Sequence, residues 1–448
     1  MKEKNAIGRN RIAMFRSATV RAWLVRKNDA VFVAYASIAA FSAYSCMYAF
    51  RKPFAAGHFT GLEFMGFDYK TVIIIAQVLG YMLSKFIGIK VISEISWAKR
   101  PVLMVLFIGI AELALVLFAI VSPPYNILFL FVNGLPLGMV WGIVFSYLEG
   151  RKFTDIITLC LCASFIVASG FVKTIGKMVL NWGFSDFAMP MITGALFFVP
   201  LLFFLWMLEG LPPPSKEDVA LKTQRIPMNG KERKRFFMSF APGLILMIIA
   251  YLILTAYRDF RDNYMADFWQ ALGLGKSAAI FTSTEIPIAL AVLLLLAFLL
   301  QIKNNSTALV LNHVAIIAGF SIVGIATLLF QAHRFPPVLW IILVGFGLFL
   351  SYIPFNGIVF DRLIAVFGYK SNAGFLIYVA DFFGYLASVG VLIYKSFFQR
   401  KLTYIGFFIS GSYVLSLTGV VVMILSLAYF KTKKRSLNAR TTTILQPE

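Results

Sequence analysis

The sequence predicts an all-α membrane protein of twelve transmembrane helices arranged as two six-helix halves. Three observations lead there. Of the 448 residues, 60% are hydrophobic and only 14% charged. A soluble chain carries about 25% charged residues, so a soluble enzyme and a disordered chain are both excluded. Apolar runs long enough to cross a bilayer, which takes about 20 residues, recur twelve times along the chain. One long polar interior stretch, opening on Pro212-Pro213-Pro214, divides those runs six and six.

In order, the spans are expected at residues 30–53, 70–92, 101–121, 125–148, 154–179 and 188–208, then 238–262, 276–301, 307–331, 336–360, 371–397 and 403–429. Transmembrane strands would be about ten residues long with alternating polarity, and no such alternation occurs. The resulting plan is a basic N-terminal arm (1–29), a first half (30–209), a linker (210–236), a second half (237–430) and a tail (431–448). The arm lacks an apolar core, so no cleavable signal peptide is expected.

Lysine and arginine set the orientation. They gather in the arm (Lys2, Lys4, Arg9, Arg11, Arg16, Arg21, Arg26, Lys27), in the linker (Lys216, Lys222, Arg225, Lys231, Arg233, Lys234, Arg235) and in the tail (Lys431, Lys433, Lys434, Arg435, Arg440). Opposing connections such as 122–126 are short and nearly uncharged. The positive-inside rule then places both termini and the linker in the cytoplasm, with the protein in the inner membrane. The same distribution assigns the net charge of +21 to membrane topology and not to nucleic acid. Cys46, Cys160 and Cys162 all lie in apolar runs, and the three histidines are scattered. No disulfide, metal or cofactor is expected, and the chain is expected to act as a monomer among membrane lipids.

Two related halves suggest a transporter with its substrate site near the midplane between them. Gly134, Gly138 and Gly142 in span 4 form a ridge of small residues, read first as ordinary close helix packing.

Charges inside apolar spans are costly, so each needs a reason. Tyr44, Tyr48 and Arg51 close span 1 at spacings of four and three and share a helical face. They make either an anion cradle, since guanidinium offers a planar fork to phosphate or carboxylate, or an interfacial belt with a snorkelling arginine. Tyr81 and Lys85, four apart in span 2, share a face as well. Lys85 either joins such a cradle or snorkels to the cytoplasmic interface. Span 7 ends in Tyr257-Arg258-Asp259-Phe260-Arg261-Asp262-Asn263-Tyr264. Arg258 and Asp262 have the spacing of a pair, which leaves Arg261 to face the cavity; the alternative is a solvated charged loop. Glu285 in span 8 and Asp381 in span 11 belong near mid-bilayer. Each carboxylate either titrates for proton coupling or neutralises an arginine, and pairing is the favoured expectation.

At these residues the chain resembles the organophosphate:phosphate antiporters of the major facilitator superfamily, the glycerol-phosphate and hexose-phosphate transporters among them. Tyr44…Tyr48…Arg51-Lys52-x-Phe54 looks like that family's Tyr-x-x-x-Tyr-x-x-Arg-Lys-x-Phe, and Tyr81-x-x-Ser84-Lys85-Phe86 like its Tyr-x-x-Ser-Lys-Phe. Tyr352-Ile353-Pro354, Ala373-Gly374-Phe375 and Gly384-Tyr385-Leu386 are similar to shorter motifs of its helices 10 and 11. Glu94 stands where the superfamily usually has Asp, and span 5 has no histidine where the family has one. The resemblance implies a major-facilitator-type bundle. It also implies a phosphate held by Arg51 and by Arg258 or Arg261, with Lys85, Tyr44, Tyr48 and Tyr81 nearby and Tyr352 and Tyr385 as further candidates.

The function expected is secondary transport of a small organic anion, with a phosphate ester as one candidate, by alternating access. Arg51 and Arg261 are the expected ligands, assisted by Lys85; Asp381, Glu285 and Asp262 are the candidates for coupling or charge pairing. The rivals are a proton-coupled symporter of another organic solute and a membrane sensor that binds without transporting. No cluster of nucleophile, base and metal ligands suggests an enzyme.

Overall fold

The computed structural model describes residues 18–94, 97–214, 218, 230–356, 358–368 and 373–444. Lys2, Lys4, Arg9, Arg11, Arg16, Lys216, Lys222 and Arg225 lie outside the described residues, as do the side chains of Glu94, Arg233, Phe375 and Arg440.

Among the described residues are twelve long helices: α1 (Asp29–Tyr48), α2 (Tyr69–Glu94), α3 (Arg100–Ile120), α4 (Ile127–Leu148), α5 (Thr154–Asn181), α6 (Ala188–Glu209), α7 (Gly230–Ala271), α8 (Ile280–Leu300), α9 (Asn305–Gln331), α10 (Pro337–Tyr352), α11 (Ala373–Phe398) and α12 (Tyr404–Ile444). Eleven have the length and composition to cross a membrane, and α11 completes the twelve-helix plan. Short helices cover Ala18–Val25 and Val359–Phe367.

Local chemistry sets the ends. The Asn28 side chain accepts the Val31 N–H and starts α1; Asn304 does the same for Ser306 and Thr307 at α9. Each satisfies a backbone donor that has no partner inside the helix. Pro101 opens α3 and Pro337 opens α10, positions where a missing N–H costs nothing. After α1, Pro53 begins a 3-10 turn over Pro53–Ala56. The connection to α2 folds as a hairpin, β1 (Glu63–Phe64) against β2 (Phe67–Asp68). Its two turn residues, Met65 and Gly66, both take positive φ, the twist that suits a two-residue hairpin.

Two spans differ from the sequence expectation. Span 10 does not run to residue 360. It stops at Tyr352 and passes into a 3-10 turn, Ile353–Asn356, because Pro354 removes a donor and restricts the residue before it. Span 7 does not stop at residue 262 and is not a solvated loop. It continues as helix to Ala271, with Asp259, Arg261, Asn263 and Phe268 buried.

The chain forms two compact units. The first contains α1–α6, the end of α7 from Phe260, the start of α8 to Ala289, and residues Val389–Ile405. In it α2 and α4 approach closely. A Cβ on Gly134 would meet the Gln77 carbonyl, and one on Gly138 would lie 2.7 Å from the Ser84 hydroxyl. The glycine ridge of span 4 is thus a packing device. Between α4 and α5, Arg151 donates to the Pro212 carbonyl at 2.6 Å, and burial pushes its guanidinium down to about 10. The second unit contains residues Gln224–Asp259, Leu290–Ser388 and Gly406–Glu448. There Trp340 stacks on Phe330 at 4.1 Å and donates to the Thr327 hydroxyl at 3.1 Å.

Candidate functional site

The first unit gathers two cations on one aromatic ring. α1 ends at Tyr48, and a turn carries the chain to Arg51, whose N–H donates to the Tyr48 carbonyl at 3.0 Å. Arg51 therefore sits one tight turn beyond Tyr48, in the turn that follows the helix. Buried side chains clamp its backbone. Gln77 donates to the Arg51 carbonyl at 2.8 Å, and Asn133 donates to the Phe50 carbonyl at 2.9 Å. Gln77 also donates to Asn133 at 2.8 Å. The Arg51 guanidinium lies over the Tyr81 ring, 3.7 Å from its centroid. The Lys85 ammonium lies 5.4 Å from the same centroid and 5.8 Å from that of Trp141. Lys85 is 9% exposed, with its ammonium near both rings. Tyr44 and Tyr48 are buried and meet edge to face at 5.6 Å; Tyr44 also meets Phe165 at 5.7 Å.

A second cluster in this unit joins the end of α7 to the helices around it. Lys52 reaches Asp262 at 2.6 Å and donates to Asn263 at 2.9 Å. Lys173 of α5 reaches the same Asp262 carboxylate at 2.5 Å, and the Ser169 hydroxyl donates to it as well. Arg261 pairs with Glu285 of α8 at 2.8 Å. Lys70 pairs with Asp267 at 2.7 Å, and the His58 ring lies 3.4 Å from that carboxylate. One sequence expectation is corrected: Asp262 does not pair with Arg258, because two lysines already hold it. Arg261 has Glu285 as its carboxylate partner, as Arg258 has Asp259. The expected pairing of Glu285 with a cation is present.

The second unit holds Arg258. Its guanidinium lies 4.0 Å from the centroid of the Tyr352 ring and pairs with Asp259 at 2.8 Å. Ser388 donates to the other oxygen of Asp259 at 3.0 Å. Tyr251 stacks on Tyr352 at 5.2 Å, donates to the Asp381 carboxylate, and shares a hydroxyl–hydroxyl hydrogen bond of 3.0 Å with Tyr352. Tyr385 is buried on α11. Each unit thus carries an arginine laid on a tyrosine ring, an arrangement that holds a planar cation while keeping its fork directed.

The family DUF5690, described as a family of unknown function, matches residues 53–433. The chain belongs to that family. Members of another group align with part of this DUF5690 chain. Major facilitator superfamily domain-containing protein 4A of Homo sapiens and of Pongo abelii is 27% identical to it over 200 residues, 41% of this chain and 35% of theirs. The aligned stretch therefore spans about a third of those relatives. Solved structures similar to the chain include a D-xylose-proton symporter (TM-score 0.60, 12% identity, 88% of this chain and 96% of that one). The nucleoside transporter NupG is similar too (0.58, 16%, 89% and 99%). So is a POT family transporter in complex with a thioalcohol-conjugated peptide (0.58, 13%, 90% and 96%). The fold of this DUF5690 protein is of the major facilitator type.

Sequence reasoning missed Lys173, Lys70, Asp267, Gln77 and Asn133. Lys173 carried a usable signal, a cation deep in an apolar span, the same feature that singled out Lys85. Gln77 and Asn133 carried a weaker one, since a buried amide needs partners but the sequence does not say which.

Proposed function

We propose that this protein is a secondary transporter of a small organic anion, with phosphate esters as the first class to test, working by alternating access in the inner membrane. The observation that supports this most is the pair of buried cations, Arg51 and Lys85, on the single ring of Tyr81. Ionisable groups at membrane depth are costly and tend to mark substrate or ion pathways, and guanidinium forks suit phosphate and carboxylate. Arg51 and Lys85 are the anion-binding group of the first unit. Arg258, on Tyr352, is the corresponding group of the second, and Arg261, held by Glu285, remains a candidate ligand. Tyr44, Tyr48, Tyr81, Tyr352 and Tyr385 supply hydroxyls and ring faces. Both termini and the linker at 210–236 are cytoplasmic. The neighbours of similar fold are by their names a D-xylose-proton symporter, a nucleoside transporter and a POT family transporter in complex with a conjugated peptide, so the fold permits the activity without specifying this substrate. The test is uptake into proteoliposomes from a panel of labelled phosphate esters and carboxylates. Saturable uptake of an anion that falls in Arg51→Lys supports the reading; uptake of neutral solutes only would replace it.

A second reading, proton-coupled symport, is favoured by Asp381, a buried carboxylate hydrogen-bonded to Tyr251. Uptake by Asp381→Asn separates the two. Changed affinity with an intact response to a pH gradient fits the first reading, and loss of that response with affinity intact fits the second.

A further inference from the structure

The N-terminal arm leaves a cleft that no part of the proposed transport path uses. The helix Ala18–Val25 lies against the ends of α1 and α6. Arg21 donates to the Glu209 carbonyl at 3.0 Å, and Tyr35 donates to the Met207 carbonyl at 3.1 Å. Gly210 permits this approach, since a Cβ there would stand 3.0 Å from Val20 and 3.1 Å from the Tyr35 hydroxyl. Between these elements is a cavity of about 350 Å³ walled by Thr19, Trp23, Tyr35, Phe203, Trp206 and Met207. That volume falls in the range of ligand pockets. The walls are almost wholly apolar, and Trp23 and Phe203 are exposed at 44% and 53%, so the cleft is open on one side. Clustered tryptophan and tyrosine are characteristic of the bilayer interface.

Cations stand at the same place. The Lys27 ammonium lies 5.3 Å from the centroid of the Trp23 ring. Arg26 is exposed in the same turn, its N–H donating to the Trp23 carbonyl at 3.1 Å. Acidic groups in the neighbourhood are engaged elsewhere. Asp29 pairs with Lys152 at 3.3 Å, and the Glu209 carboxylate accepts from Tyr147 at 2.5 Å. An apolar slot with aromatic walls beside Lys27, with the exposed Arg26 in the adjoining turn, suits an acyl chain joined to an anionic headgroup.

We infer that the cleft binds one anionic phospholipid, an acyl chain lying along Trp23, Phe203 and Trp206 and the headgroup phosphate near Arg26 and Lys27. This does not depend on the transport reading, because the cleft shares no residue with the Arg51, Lys85 or Arg258 groups.

Native mass spectrometry of the full chain, with dioleoyl phosphatidylglycerol or dioleoyl phosphatidylcholine titrated into detergent, tests it. The wild type should retain one phosphatidylglycerol in preference to phosphatidylcholine. Neutralising both cations in Arg26→Gln/Lys27→Gln should cut phosphatidylglycerol retention by roughly thirtyfold, since each basic residue near an anionic surface contributes comparably. Thr19→Trp, at an exposed wall position, should fill the slot and abolish retention of that one lipid with the cations intact. Equal retention of the two lipids by the wild type, or unchanged retention in either variant, would overturn the inference. All three substitutions are on the arm, and the melting temperature of each variant, expected at the wild-type value, separates a lost site from a lost fold.

Discussion

Arg51 and Asp262 illustrate two ways in which a membrane-embedded charge is made tolerable. Arg51 is laid on Tyr81 with its peptide clamped by Gln77 and Asn133, which fixes the direction of its fork. Arg51→Lys keeps the charge but loses both the fork and the stacking plane. Hydrogen bonds to charged groups contribute about 1.5–3 kcal/mol, so substrate affinity should fall roughly tenfold to a hundredfold while the melting temperature stays within a few degrees. A binding titration beside a thermal unfolding scan checks both halves of that statement. Asp262 is held instead by Lys52 and Lys173. Asp262→Asn leaves two buried ammonium groups without their counter-charge, and breaking a buried pair costs about 3–5 kcal/mol. The melting temperature should drop clearly. Adding Lys173→Met to Asp262→Asn should restore part of the loss, the signature of coupled sites in a double-mutant cycle. An Asp262→Asn protein as stable as the wild type would remove this role.

At the level of helices, packing between α2 and α4 depends on backbone approach at Gly134, where any Cβ would run into the Gln77 carbonyl. Gly134→Val must push α2 away, and overpacking of that kind costs about 1–3 kcal/mol. The same helix carries Tyr81 and Lys85, so the variant should also weaken anion binding; extraction as monodisperse protein followed by a ligand titration reads both effects. The helices themselves were legible in the sequence, because length and apolarity decide a span whatever it packs against. What was not legible is where α7 ends. Its terminal residues look like a charged loop, and only Lys52, Lys70, Lys173 and Glu285, contributed by distant stretches, make them a buried helix. The Arg258–Asp262 pairing failed for the same reason. Spacing along one helix shows which residues are able to meet, while lysines from α5 and from the α1–α2 connection settled the competition.

For the whole molecule, the twelve-helix plan could be read from composition and the six-plus-six division, the major-facilitator-type fold from the resemblance of its motifs, and the motifs at Arg51 and Lys85 led to a basic group that the structure does assemble on Tyr81. The partners of Arg258 and Arg261 could not be read, since they depend on Glu285 reaching Arg261 and Tyr352 lying under Arg258. Orientation follows from the basic arm, linker and tail, so a reporter fused after Glu448 should report the cytoplasm; a periplasmic signal would invert the topology. The central claim is that an anion crosses this protein bound at Arg51. It is tested most directly by uptake of a labelled phosphate-ester and carboxylate panel into proteoliposomes, wild type beside Arg51→Lys. The account predicts saturable flux of at least one anion that the substitution reduces by roughly tenfold or more, in line with the loss of a charged hydrogen-bond fork. Anion flux at the wild-type rate in Arg51→Lys, or no anion flux in the wild type, would contradict it.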